Sequence, residues 1–145
     1  MKISDFDLHR LHLRLPEPIG DSQVRFEDHW ITVVELTTDH GQTGVGFDCQ
    51  QGLPTAKLES LVGEFRYAIW PSIAGGHPQG LVHRIVRARG GNVGSGYRTR
   101  AVETALWDLA AKEVDLPLYQ FLGGEQAAVP AYGSTLDFRL DDQGF

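Results

Sequence analysis

The segment Arg100 to Gly124, RAVETALWDLAAKEVDLPLYQFLGG, decides the fold of this 145-residue chain. Ala101, Val102, Ala105, Leu106, Leu109 and Ala110 recur at i, i+1, i+4 and i+5, one continuous apolar stripe on a helix. Three of these six are alanine, so a neighbouring element can approach the helix closely. Asp108 and Lys112 stand four apart on the other side, a surface pair that supports the helical register. Leu116-Pro117 is expected to stop the helix, because proline lacks an amide donor and disfavours a helical residue before it. Leu118, Phe121 and Leu122 then form a short apolar turn that closes at Gly123-Gly124.

Upstream, the pattern changes from helical to alternating. Lys2 to Leu15 reads as a strand in which Leu11, Leu13 and Leu15 alternate out of phase with Phe6 and Leu8, predicting a bulge near His9-Arg10. Pro16 to His29 reads as polar and irregular, broken by Pro16, Pro18 and Gly20. Trp30 to Thr38 is β-branched and strand-like, Asp39 to Gln42 is a turn, and Thr43 to Phe47 is a return strand containing Gly44 and Gly46. The three strands make a small antiparallel meander, followed by a polar loop, Asp48 to Pro54. Leu58, Leu61, Val62, Phe65 and Ile69 keep helical spacing, with Thr55 as a cap and Trp70-Pro71 as the end. A second helix carries Leu81, Val82, Ile85 and Val86 behind Pro78, and Gly90 to Gly96 connects it to the organising helix. Val129 to Ser134 suggests another short strand, and Leu140-Asp141-Asp142 the onset of another helix.

Composition narrows the classes. Apolar content of 41% and charged content of 22% are ordinary for a globular protein. A net charge of −6 argues against nucleic-acid and anionic-membrane partners. The single cysteine, Cys49, cannot form an internal disulfide and suits a reducing compartment. No apolar run approaches the ~20 residues a membrane helix needs, and the early Asp5 and Asp7 do not read as a signal peptide. A soluble cytoplasmic protein is the expectation.

The run A-x-E-x-A-L-W-D-L-A-A-K followed by L-P-L-Y-Q-F-L-G-G resembles a signature of the mandelate racemase/muconate lactonizing branch of the enolase superfamily. The resemblance implies an α+β capping domain over residues 1–128, a three-stranded antiparallel meander followed by a helical bundle. Residues 129–145 would then open a (β/α) barrel. Those 17 residues are few against about 250 for such a barrel, so the chain is expected to be the front part of a longer enzyme. In that family a barrel base removes the proton α to a carboxylate, and Mg²⁺ held by barrel carboxylates stabilises the enediolate. The resemblance therefore places the base and the metal ligands beyond Phe145, with no catalytic or metal-binding residue inside this chain.

The alternatives within the chain are weaker. His9 and His12 have opposite strand parity and cannot chelate one ion together, and His77 and His83 straddle a helix start. Gly90 to Gly96 lacks the preceding strand and following Gly-Lys-Ser/Thr of a phosphate loop. Arg84, Arg87 and Arg89 lack interleaved aromatics and read as a solvated helix face. Asp108 and Glu103 lie within the signature but in the middle of a packing helix, so neither is expected to be a catalytic acid.

Two loops carry the functional expectation, because in the resembled family the loops after the first and third strands fold over the barrel mouth, exclude water and select the substrate. Here they are Glu17 to His29 and Phe47 to Pro54, offering Arg25, His29, Phe47, Cys49 and Gln51 as specificity residues. Phe47, Cys49 and Gln51 alternate, so an extended segment would turn them the same way. Ser134, at the end of the first barrel-like strand, is implied to bind the substrate carboxylate. The polar runs Asp21-Ser22-Gln23 and Asp48-Cys49-Gln50-Gln51 suit a hydroxylated substrate, which favours a sugar-acid dehydratase over a racemase or cycloisomerase of the same branch. A non-catalytic, dimerising capping module is the alternative from another class. A homo-oligomer acting on a small carboxylate is expected, with no nucleic-acid or membrane partner.

Overall fold

A computed structural model describes residues 1–20, 23–51, 57–88, 97–125 and 128–132. Three antiparallel strands, β1 (Ile3–Gly20), β2 (Arg25–Thr38) and β3 (Thr43–Gln51), form one sheet in the order β1-β2-β3. The helices follow as α1 (Leu58–Glu64), a π-helical turn (Phe65–Ile69), α2 (Trp70–Ile73), α3 (Pro78–Ala88), α4 (Tyr97–Glu113) and α5 (Leu118–Phe121). This is the expected meander followed by helices.

The sheet's two faces divide by alternation. On β2, Thr32, Val34, Leu36 and Thr38 are buried, while Ile31, Val33, Glu35 and Thr37 between them are only partly covered. The buried set packs with Ile3 and Phe6 of β1 against Ala101, Val102, Ala105, Leu106 and Leu109 of α4. Every residue of the apolar stripe is buried to within 2%. The anticipated close approach is made by β3. A Cβ on Gly44 would lie 2.4 Å from the Ala105 carbonyl oxygen, and one on Gly46 would lie 1.9 Å from that of Ala101. Two bare strand positions therefore rest directly on the helix backbone.

Polar contacts fix the same pair of elements in register. Asp108 Oδ2 accepts from the Val45 amide at 2.9 Å and from Lys112 Nζ at 2.7 Å, and Lys112 also donates to the Thr43 carbonyl at 2.9 Å. The signature aspartate is thus a structural brace. Helix α4 ends at Glu113, slightly before the proline, because Asp115 takes a left-handed conformation (φ 54°). The Leu116 amide donates to the Ala111 carbonyl and the Asp115 amide to that of Lys112, a Schellman closure that satisfies the helix end.

Four expectations need correction. β1 keeps unbroken register from Asp5 to Arg14, with irregularities between Ile3 and Asp5 and between Arg14 and Ile19, not at His9-Arg10. The out-of-phase leucines are left outside instead: Leu11 and Leu13 are 50% and 52% exposed. Pro16 to His29 is largely a hairpin arm, since Ile19 pairs with Phe26 and Gly20 with Arg25. Its prolines are tolerated because they lie on an edge strand within the break in register, where no ladder amide is required. β3 likewise continues past Phe47 to Gln51, so half of the expected second loop is strand. Finally, Trp70-Pro71 does not end the helical segment. The Trp70 amide bonds the Phe65 carbonyl across a π turn, and a short helix then runs on to Ile73. Phe6 packs on both Phe65 (4.5 Å between ring centroids) and Trp70 (5.0 Å).

Thr55, the Gly90 to Gly96 connection and the helix onset at Leu140 lie outside the described residues, and α1 is preceded by Lys57 without a side-chain cap. Ala128 to Tyr132 has no regular secondary structure.

Gly46→Ala is expected to cost about 3 kcal/mol or more, since the blocking atoms are backbone and cannot rotate away. Gly63→Ala in α1, where an added Cβ meets nothing within 4 Å, should instead stabilise by about 0.5–1 kcal/mol. Urea unfolding of the two variants checks the contrast.

Candidate functional site

The sheet places Arg25, His29, Phe47 and Cys49 on the face turned away from the helices. Arg25 and His29 share parity along β2, and Phe47 and Cys49 pair with Val33 and Ile31 of that same β2 set. Gln51 is the register partner of His29. Arg25 begins β2 and is exposed, Phe47 is 63% exposed, Cys49 is exposed and His29 is half-buried. Cys49 Sγ lies 3.6 Å from His29 Nδ1, a diagonal cross-strand contact. His29 Nε2 is buried without a hydrogen-bond partner. Ser134 lies outside the described residues, as do Asp21 and Ser22.

Around these residues the outward face is apolar, with Leu11, Leu13 and Val45 exposed. His9, on the same parity, stands 3.6 Å from Glu35. At its Arg25 end the arrangement offers a guanidinium, an imidazole and a thiol on an apolar ground. It suits recognition of a partly polar ligand, and it contains no nucleophile–base–orienter series. Among the described residues, no three His, Cys, Asp or Glu side chains are grouped to hold a metal ion.

Sequence reading missed a second polar row, on the helix-facing side beyond the core. His12 stacks on Trp30 (4.1 Å, 9° between planes) and contacts Asp28, while the Arg10 guanidinium lies 5.2 Å from the Trp30 ring centre. Next to them, Thr32 and Asp48 are register partners, 7% and 8% exposed. The signal was available in the parity of Arg10, His12 and Arg14, which alternate with the outward leucines. Asp48 also corrects an expectation. Assigned to a polar loop suited to a hydroxylated substrate, it instead turns inward and pairs with Arg100 NH2 of α4 at 2.9 Å.

Burial pushes the Asp48 carboxyl above its ordinary range, and the Arg100 guanidinium beside it opposes the shift. A raised folded-state pKa favours folding while the group is protonated, and that contribution is lost as pH rises through the folded value. The stability of the native chain relative to Asp48→Asn should therefore fall as pH rises from about 3 to 7. Urea midpoints at several pH values check this, and a flat difference would contradict it.

A three-stranded meander packed on one long alanine-rich helix defines an enolase-type capping domain. Residues 9–123 match the family model "Mandelate racemase / muconate lactonizing enzyme, N-terminal domain", and the chain belongs to that family. It is 30% identical over 125 residues to an L-Ala-D/L-Glu epimerase of Clostridium acetobutylicum, covering 86% of this chain and 35% of that one. It is 32% identical over 116 residues to a D-galactonate dehydratase family member of a Marinomonas species, covering 74% and 28%. A crystal structure from Mesorhizobium loti, provisionally named a mandelate racemase, superposes with a TM-score of 0.81 at 37% identity, over 99% of this chain and 38% of that one. Another from Roseovarius nubinhibens, complexed with magnesium, gives 0.63 at 27% identity over 88% and 35%. The chain thus spans about a third of the length of its relatives. Among the described residues, no helix is long and apolar enough to cross a membrane.

Proposed function

We propose that this chain is the substrate-capping part of a magnesium-dependent enzyme that removes the proton α to a carboxylate, and that the reaction is dehydration of a sugar acid. The family match over residues 9–123 carries the general reading. The relative from the D-galactonate dehydratase family supports the particular one. A proton beside a carboxylate is very weakly acidic, so the developing dianion requires concentrated positive charge. Magnesium, present in the Roseovarius structure, supplies that charge when bound, and the base and ligands belong to protein outside these residues.

The cap's contribution is selection. Arg25 and His29 offer a cation and an imidazole to hydroxyl or carboxylate oxygens at the distal end of the substrate. Phe47 and Cys49 bound an apolar edge that excludes water. Ser134 is assigned to the substrate carboxylate on the family resemblance. We place the enzyme in the cytoplasm, as a homo-oligomer. Racemisation or epimerisation is the second reading, favoured by the Clostridium epimerase and the Mesorhizobium structure. Both reactions begin with the same proton removal. A dehydratase then expels the β-hydroxyl, whereas a racemase returns a proton to the opposite side.

The full-length protein, assayed with Mg²⁺ and a panel of sugar acids in deuterated water, should give a 2-keto-3-deoxy acid. Exchange of the α-proton without loss of water would favour the second reading, and activity by residues 1–145 alone would refute the division of labour. In the full-length enzyme, Arg25→Ala and His29→Ala should each raise KM about tenfold while changing kcat less.

A further inference from the structure

β3 meets α4 at three inward positions spaced two apart. At Gly44 and Gly46 the strand lies on the backbone of Ala105 and Ala101. Asp48 is the third, and there the contact is an ion pair to Arg100, the residue preceding Ala101. The pair is lopsided. The Asp48 side chain is only 9% exposed whereas that of Arg100 is 54% exposed, so the helix residue reaches in from solvent to a fixed carboxylate. Asp48 Oδ1 receives Arg100 at 2.9 Å, while Oδ2 is buried without a hydrogen-bond partner. Across the strand, the Thr32 hydroxyl is likewise buried without a partner.

Removing Arg100 would therefore leave an uncompensated carboxylate in a dry position, a state a protein escapes by turning the group to water. Asp48 cannot turn out without rotating its strand neighbours, because successive side chains alternate. Those neighbours are Phe47 and Cys49.

We infer that the Asp48–Arg100 pair is a positioning device for the candidate specificity face, holding the end of β3 against α4 so that Phe47 and Cys49 keep their outward orientation. Asp48 and Arg100 are positioning residues, acting through the strand. The functional part of this inference rests on the reading of Phe47 and Cys49 as substrate-facing; the mechanical part does not.

Cys49, the only cysteine of these 145 residues, reports on the strand end directly. In the full-length protein, alkylation of Cys49 by iodoacetamide is followed by peptide mapping where circular dichroism shows all variants folded. Because Cys49 is exposed in the native arrangement and leaves the open face when Asp48 turns out, Arg100→Met should slow alkylation about fivefold or more, Arg100→Lys should stay within about twofold of native, and Asp48→Asn combined with Arg100→Met should return toward the native rate. If Arg100→Met does not fold, Arg100→Gln gives the same comparison. An unchanged or faster alkylation rate in the Met or Gln variant overturns the inference, as does failure of the Lys variant or the double variant to recover. A slower rate accompanied by a raised KM and a steady kcat supports the whole of it. A slower rate with unchanged KM keeps the clamp, and overturns the substrate-facing reading of Phe47 and Cys49.

Discussion

The absence of side chains at Gly44 and Gly46 sets the distance between β3 and α4, and most of the structure depends on that distance. A strand normally holds a helix off by the length of its own side chains; here the strand's bare positions rest on helical carbonyls. The alanines at 101 and 105 allow this from the other side, and the larger Leu106 and Leu109 are buried with Leu36 and Val34 in the same core. Asp108 and Lys112 then bond the main chain of Val45 and Thr43, which prevents the strand from sliding along the helix. Small residues create the contact and charged residues fix its register.

That contact also decides which face of the sheet remains open. With Phe6, Val34, Leu36 and the two glycines committed to the helices, the opposite parity of every strand is left outside. It gathers Leu11, Leu13, Val45, Phe47, Cys49, His29 and Arg25. The face combines an apolar centre with polar groups toward both ends, Arg25 and His29 at one and Asp5, Asp7 and Glu35 at the other.

The organising helix was legible because its stripe is long and obeys a single period, and all six of its residues are buried. The meander was legible from β-branched runs around the Asp39 to Gln42 turn. Strand lengths were not. Pro16, Pro18 and the polar run after Phe47 read as loop by composition, but pairing in a hairpin is made by the backbone and does not require apolar side chains. Leu11 and Leu13 suggested a bulge because alternation was assumed to mark one buried face, whereas both faces of β1 carry leucine. Asp48 shows the limit most clearly. Its parity was readable, but its partner Arg100 lies 52 positions away, and only the folded chain brings the two together.

The π turn at Phe65 to Ile69 carries a consequence for how this domain tolerates insertion and deletion. In α geometry two residues five apart diverge by about 140° around the axis. The wider turn brings Phe65 and Trp70 back toward the same side, where both meet Phe6. The extra residue is thus matched to a single aromatic ring on β1. Losing one residue from this turn would set the two rings four apart, about 40° in α geometry, so both would still face Phe6. The π turn is consequently the place where this segment absorbs an extra residue while both rings keep a partner more than fifty positions earlier in the chain.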